Sequence, residues 1–239
     1  MLSGPVDKFV EELKSEFGGF ADLHTHTFFS DGELLPSELA NRFLKNGGKV
    51  LAITDHADSS NCCFLIERLR KFKEQNGVSF KEMGLTVLVG VELTHVPPRD
   101  IPRCIEKARK EGADVVVVHG ETVVEPVPEG TNIAAIEGRA DVLAHPGFIR
   151  LKHANLARKY GVALEITTRK GHCYTNGYVL KVARKSGAPV VINTDTHSVS
   201  DVASWELLVK VGLGAGMTEE EVKESFRRSF KIALKGTGR

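Results

Sequence analysis

The chain has 239 residues, of which 41% are hydrophobic and 26% are charged, and its formal net charge is +1. This composition fits one globular domain over residues 1–239, and the near-neutral charge gives no electrostatic case for nucleic acid or an acidic membrane as a partner. The first residues lack the basic and apolar segments of a signal peptide, so we expect a soluble, cytoplasmic protein. The four cysteines form no C-x-x-C motif, which argues against a zinc site built from thiolates.

Helical and strand patterns alternate along the chain. A helix predicted over residues 5–17 precedes seven apolar runs, near 20–23, 49–54, 85–91, 115–118, 141–144, 162–167 and 190–193. Helical patterns follow them, near 36–46, 64–76, 101–111, 132–137, 151–160 and 177–186. Two more helices are predicted over 200–211 and 218–234, with Thr218 and Glu221 spaced as a capping box. The glycine-rich run 212–216 is interpreted as a flexible connection between them.

This alternation predicts a fold of the α/β class. Strands followed by helices favour a parallel sheet, and seven such units favour a closed, TIM-like barrel with extra terminal helices. In parallel barrels the chemistry gathers at the carboxyl ends of the strands. Six of the seven predicted strands end in His, Asp or Glu.

The strand-end residues suggest a metal site. His24 and His26 are two residues apart, so both side chains leave one face of a strand. An isolated pair of this kind is usually an ordinary strand feature, but the same residue types recur at later strand ends. The candidate ligands are His24, His26, Asp31, His56, Glu92, His119, His145, Asp195 and His197. Nine ligands exceed the needs of one ion, and imidazole with carboxylate favours two or three divalent ions of zinc, manganese or iron.

The same residues carry a family resemblance. The motifs are His24-Thr25-His26, Ser30-Asp31-Gly32, Thr54-Asp55-His56, Gly90-Val91-Glu92, His119-Gly120, Ala144-His145-Pro146-Gly147 and Asn193-Thr194-Asp195-Thr196-His197. In this order they resemble the motifs of the PHP (polymerase and histidinol phosphatase) superfamily, from about residue 20 to about 203. The resemblance implies a distorted (β/α)7 barrel, a trinuclear metal centre and phosphoesterase activity, with C-terminal helices over about 200–235 outside the motif region.

The positions of the residues and the chemistry of phosphate-ester hydrolysis suggest roles for individual side chains. A hydroxide held between metals would attack the phosphate, with Glu92 bridging the ions and Asp195 and His197 as candidates for proton transfer. Asp55, adjacent to His56, is interpreted as a hydrogen-bonding residue behind the ligands. The sixth strand is expected to end without a metal ligand, and the loop after it is expected to contact the substrate. The predicted substrate contacts are Arg169, Lys170 and His172, then Arg150 and Lys152, with His95 lining the pocket and His153 on a helix surface.

Four functions remain open from the sequence. The leading one is a phosphatase acting on a small phosphorylated molecule, similar to histidinol-phosphate phosphatases. A phosphodiesterase or exonuclease acting on nucleotides is the near alternative. A third possibility is a non-catalytic binding subunit, for which we would expect some metal ligands to be replaced. A fourth is a hydrolase of C–N bonds, which usually has a metal-bridging lysine, and no strand end provides a candidate for it. The oligomeric state is not indicated.

Overall fold

The computed structural model describes residues 4–238, in which parallel strands alternate with helices. The strands are β1 (Phe20–Asp22), β2 (Gly48–Ile53), β3 (His56–Ala57), β4 (Thr86–Leu93), β5 (Val115–His119), β6 (Val142–Ala144), β7 (Ala163–Thr167) and β8 (Val190–Asn193). Each of the seven predicted strands is present, and β3 is a short addition. The order in the sheet is β1-β2-β4-β5-β6-β7-β8, with β3 beside β4.

The sheet curves into a nearly closed barrel. All strand pairs are parallel. Both β2 and β3 pair with β4, so the barrel wall has seven strand positions. Beyond β1 and β8, Thr25 forms a parallel bridge with Thr196, and the His26 N–H donates to the Thr196 carbonyl at 2.8 Å. The predicted distorted (β/α)7 barrel is confirmed.

The helices surround the barrel. They are α1 (Pro5–Phe17), α2 (Pro36–Lys45), α3 (Cys62–Glu82), α4 (Ile101–Lys110), α5 (Thr131–Glu137), α6 (Leu151–Tyr160), α7 (Asn176–Ser186), α8 (Trp205–Gly214) and α9 (Glu219–Thr237). No helix in residues 4–238 combines the length and apolar character that a bilayer crossing requires.

Two predicted helix boundaries are wrong near the C-terminal end. The helix predicted from residue 200 begins at Trp205, because the Ser204 side chain caps it by accepting a hydrogen bond from the Leu207 N–H at 3.2 Å. Residues Val199–Asp201 form a separate 3-10 turn. The run 212–216 is not a simple flexible connection, since its first three residues form the last turn of α8.

The barrel interior is apolar along the strands and becomes polar at their carboxyl ends. Its apolar cluster consists of Leu23, Ala52, Leu88, Val115, Val117, Val142, Ala144, Ala163, Val191 and Ala233. On β5 the alternation of a strand places Val115 and Val117 inside, whereas Val116 and Val118 pack against the outer helices. Ala233 belongs to α9, which contacts β1 and β8. The apolar interior therefore supports the histidines and carboxylates that follow at the carboxyl ends.

The capping box of α9 gives the first testable prediction. The Glu221 N–H donates to Thr218 Oγ1 at 3.2 Å, and the Thr218 N–H donates to Glu221 Oε2 at 2.8 Å. Because Thr218→Ala removes one half of this exchange, we expect it to cost about 1 kcal/mol, which lowers the melting temperature by about 2–4 °C. Thermal unfolding followed by circular dichroism measures the change. Thr218→Ser keeps the hydroxyl and serves as the control, and equal melting temperatures for the two variants would contradict the prediction.

Candidate metal centre

The nine candidate ligands come together at the carboxyl ends of the strands. We call these nine side chains the strand-end cluster. Seven of them belong to residues that are at least nine-tenths buried, and the other two, Asp31 and His56, have side chains that are 57% and 26% exposed. The cluster therefore has a buried floor and one side that reaches solvent.

The first group of ligands lies deepest. His24 Nε2 is 3.2 Å from Glu92 Oε1, and His26 Nε2 is 3.2 Å from Asp195 Oδ1. Two ligands of one tetrahedral zinc ion, each about 2.0–2.1 Å from the metal, are about 3.3 Å apart. The spacing of these donors therefore fits a shared cation.

Two further groups adjoin the first. In the second group, Glu92 Oε1 is 3.3 Å from His119 Nδ1 and 3.7 Å from His145 Nε2, so Glu92 lies between two ligand groups. In the third, Asp31 Oδ1 is 3.4 Å from His56 Nε2 and 3.3 Å from His197 Nε2. The predicted ligand Asp31 thus joins the cluster, although it lies on the loop after β1.

Several buried nitrogen and oxygen atoms of the cluster have no hydrogen-bond partner among the described residues, as expected of a site that binds metal ions. Within residues 4–238, eight buried donor or acceptor atoms of the cluster have no hydrogen-bond partner: His24 Nε2, His26 Nδ1 and Nε2, Glu92 Oε1, His119 Nδ1 and Nε2, His145 Nδ1 and Asp195 Oδ1. Buried polar atoms without partners are costly and rare. Imidazole and carboxylate together suit zinc, manganese or iron, so these residues would hold such ions.

The pKa values of two buried carboxyl groups in the cluster also bear on cation binding. Burial raises the pKa of Asp195 to about 7, although His24 lowers it. Burial also opposes ionisation of Glu92, but His24, His56 and His119 hold the pKa of that carboxyl well below its usual range. Bound divalent cations would favour both carboxylates in their charged form.

The backbone at the ligands is strained. His145 and Asp195 have positive φ angles of 26° and 57°, a region that residues with a side chain rarely adopt. Next to His145, Gly147 has φ +57°, and a Cβ there would lie 1.9 Å from the carbonyl oxygen of Glu121. Backbone strain of this kind is concentrated at functional sites, where it gives side chains a direction that an unstrained strand would not give them.

Glu165 is a site residue that the sequence analysis missed. It lies on β7, has no exposed surface, and its Oε1 accepts hydrogen bonds from His24 Nδ1 at 2.9 Å and from Asn193 Nδ2 at 2.8 Å. Its Oε2 accepts a hydrogen bond from the backbone N–H of His145 at 3.1 Å. The sixth predicted strand, expected to end without a metal ligand, thus contributes to the centre from within the strand, through the contact of Glu165 with His24. A glutamate inside the apolar run Ala163–Thr167 was the available signal.

Glu165 should tune metal affinity through His24. A carboxylate that accepts the outer N–H of a histidine ligand fixes its ring orientation and raises its basicity. We expect Glu165→Gln to weaken metal binding by about 10–100-fold, since losses at such outer residues fall in this range. Competition with a chromophoric chelator measures this affinity. Glu129→Gln changes an exposed carboxylate that pairs with Arg150 and is the control, and unchanged affinity in Glu165→Gln would contradict the role.

Asp55 has the predicted supporting position. Its carboxylate accepts hydrogen bonds from the Thr27 N–H at 2.7 Å, from Thr27 Oγ1 at 2.8 Å and from Ser30 Oγ at 2.8 Å. These bonds hold the loop after β1, which carries Asp31.

A cavity of about 660 Å³ opens beside the cluster. Three predicted substrate contacts line it, Arg169, Lys170 and His172, together with the cluster residues Asp31 and His197. Arg169 Nη1 is 3.2 Å from Asp201 Oδ2, so the guanidinium is oriented at the cavity wall. A groove of similar volume between α3 and α9 is lined by apolar side chains together with Lys73, Glu74 and Lys81, and contains no cluster residue.

Four other predicted positions lie outside the cavity lining. Among the described residues, neither Arg150 nor Lys152 lines the cavity, and Arg150 pairs with Glu129 at 2.5 Å. His153 was expected on a helix surface, and this is wrong, because it lies on the inner face of α6 and is buried. His95 is outside the cavity lining, where its Nε2 lies 3.3 Å from Glu125, a residue that the sequence analysis did not single out.

Comparisons with known proteins agree with this geometry. The family model described as the PHP domain matches residues 22–178. An uncharacterized protein of Methanocaldococcus jannaschii is 49% identical over 215 residues, which cover 90% of this chain and 98% of that protein. A probable phosphatase of Thermoanaerobacter sp. is 29% identical over 237 residues, covering 90% of this chain and 94% of the phosphatase.

A solved structure shows the same fold. The crystal structure of histidinol phosphate phosphatase from Lactococcus lactis, in complex with zinc, L-histidinol and phosphate, matches with a TM-score of 0.58 at 16% identity. The match covers 83% of this chain and 94% of that one. Because the family model spans more than half of the sequence, the chain belongs to the PHP domain family and is a metal-dependent hydrolase of phosphate esters.

Proposed function

We propose that this phosphoesterase hydrolyses a small-molecule phosphate monoester, similar to histidinol phosphate, with two or three zinc, manganese or iron ions. The nine side chains of the strand-end cluster would hold these ions. When bound, they would neutralise charge on the phosphoryl oxygens and lower the pKa of a coordinated water. The observation that carries the proposal is that five of the eight buried, unpartnered atoms lie at ligand spacing beside an open cavity: His24 Nε2, His26 Nε2, Glu92 Oε1, His119 Nδ1 and Asp195 Oδ1.

The orientation of His197 supports a ligand role over proton transfer. Its Nδ1 lies 2.9 Å from the backbone carbonyl of Asp195, and a carbonyl can only accept, so the proton is on Nδ1. Nε2 then carries the lone pair and faces Asp31 at 3.3 Å. We therefore propose His197 as a ligand, with Asp195 left as the candidate for proton transfer.

Cationic side chains at the cavity suit a phosphate. Arg169 and Lys170 line the same cavity as His197. An arginine can bind two phosphate oxygens at once, and Asp201 holds Arg169 in one orientation at 3.2 Å. We propose that Arg169 contacts the ester, so that its loss raises KM more than it lowers kcat.

The charge of the cavity favours a small ester over a nucleic-acid strand. Four carboxylates line it, Asp31, Glu33, Glu125 and Asp201, whereas Arg169 and Lys170 are the cationic residues lining it among residues 4–238. Protein surfaces that bind nucleic-acid strands carry an excess of positive charge along the phosphate backbone. An acidic rim opposes a polyanion but leaves room for a single phosphate at the metals.

Substrate comparison tests the proposal. Metal content is measured on the purified protein, and turnover is compared on histidinol phosphate, p-nitrophenyl phosphate, bis-p-nitrophenyl phosphate and a single-stranded oligonucleotide. We expect the monoesters to have the higher kcat/KM and Arg169→Ala to raise KM. A higher kcat/KM for the diester or the oligonucleotide would overturn the monoester assignment in favour of a phosphodiesterase.

A further inference from the structure

A second set of metal-binding groups lies at the rim of the barrel and shares one residue, His119, with the strand-end cluster. His95 on the loop after β4, Glu125 on the loop after β5 and the outer nitrogen of His119 place three donor atoms within 4.8 Å of one another. Glu125 Oε2 is 3.1 Å from His119 Nε2 and 3.3 Å from His95 Nε2. We call these three residues the rim site.

The spacing matches a coordination sphere. Ligands of a tetrahedral zinc ion are about 3.3 Å apart, as follows from metal–ligand distances of about 2.0–2.2 Å. Both distances from Glu125 agree with this value. Two imidazoles with one carboxylate are also a ligand set that zinc binds in proteins, with a further position left for water or a ligand.

The contact between His119 and Glu125 lacks the geometry of a hydrogen bond. His119 is 3% exposed, yet its Nε2 has no hydrogen-bond partner among the described residues, although Glu125 Oε2 is only 3.1 Å away. A donor and an acceptor at this distance that do not point at each other can both point at a common third atom. A cation between the three side chains would satisfy the buried nitrogen, which otherwise stays unpaired at a cost.

Surrounding residues hold the rim site in place. His172 Nε2 is 3.3 Å from Glu125 Oε1, whereas His95 and His119 contact Oε2, and His172 Nδ1 is 2.9 Å from Thr122 Oγ1. A ligating carboxylate is commonly oriented by such outer partners. His95 itself has φ 53°, a strained angle for a residue with a side chain.

We propose that His95, Glu125 and His119 form a further binding site for a divalent cation of the zinc class, beside the strand-end cluster. The two share the His119 ring, whose Nδ1 lies 3.3 Å from Glu92 Oε1 and whose Nε2 faces Glu125. With both sites filled, His119 is an imidazolate, because each ring nitrogen then gives a lone pair to a cation and the remaining N–H proton is released to solvent. The rim site binds more weakly than the cluster, because two of its three side chains are exposed, His95 by 45% and Glu125 by 37%. Its existence does not depend on which ester the enzyme hydrolyses.

Zinc titration tests the rim site. The protein is first loaded with the ions that survive dialysis, and Zn²⁺ alone is then added in a calorimetric titration. We expect one additional equivalent, bound at least tenfold more weakly than the retained ions. His95→Ala and Glu125→Gln should each lose this equivalent and keep the retained ones. Glu129→Gln changes a carboxylate on the same loop that pairs with Arg150, and should bind the additional equivalent as the unmodified chain does.

A spectroscopic readout guards against non-specific zinc. Co²⁺ in a tetrahedral site absorbs in the visible range, so the added equivalent should give a band that His95→Ala lacks. Equal stoichiometry and spectra in the unmodified chain, His95→Ala and Glu125→Gln would overturn the rim site. That result would leave the phosphoesterase assignment untouched, because the retained ions and the turnover of the ester are measured separately.

Discussion

Replacing Glu92 by glutamine is expected to lower kcat/KM for a phosphate monoester by at least about a thousandfold, equivalent to about 4 kcal/mol of transition-state stabilisation. Glu92 faces His24 at 3.2 Å and His119 at 3.3 Å through the same carboxylate oxygen, so it lies between two ligand groups. A neutral amide has nearly the same shape but lacks the negative charge, and one carboxylate oxygen is replaced by an NH2 group, which does not bind cations. The loss of activity should therefore result from weaker metal binding and not from unfolding of the protein.

Metal analysis and kinetics on the same preparation measure this effect. We expect Glu92→Gln to retain fewer equivalents of zinc, manganese or iron after dialysis, with turnover falling in parallel. Glu67→Gln makes the same chemical change on the exposed surface of α3 and should behave as the unmodified chain does. Turnover within tenfold of the unmodified chain would show that Glu92 does not bridge metals.

The fold was largely predictable because local pattern and burial agree in this chain. β5 is a run of four valines before a histidine, and this composition is typical of a parallel strand covered on both faces. Predictions failed where a single side chain decides the boundary. Ser204 sets the start of α8 by a hydrogen bond to the Leu207 N–H, and no periodicity in the sequence reveals which of several serines caps the helix.

Only the site residues that follow the ends of strands could be predicted from the sequence. His24, Glu92 and His119 follow apolar runs, and position alone brings them together. Glu165 was missed because it lies inside a strand, and its contact with His24 depends on barrel closure between β8 and β1, which a one-dimensional pattern does not contain. Glu125 was missed because it lies on a loop whose course the sequence does not determine.

Removing the metals is expected to lower the melting temperature by about 10 °C as well as to abolish turnover. A ligand present at a thousand times its dissociation constant stabilises the folded state by about 4 kcal/mol. In a chain of this size, each kcal/mol corresponds to about 2–4 °C. Without cations, Glu92 and Asp195 remain buried together with imidazole nitrogens that have no hydrogen-bond partners among the described residues, so the apo fold retains this cost.

Differential scanning calorimetry with and without a chelator measures the shift, and elemental analysis verifies that the metals have left. Re-addition of zinc, manganese or iron should restore both the melting temperature and turnover, and the ion that restores both at the lowest concentration identifies the preferred metal. The Glu92→Gln variant provides the internal comparison, because a chain that already holds fewer ions has less stability to lose. An unchanged melting temperature in metal-free protein would mean that the strand-end cluster is stable without cations, and the unpartnered atoms would then need another explanation.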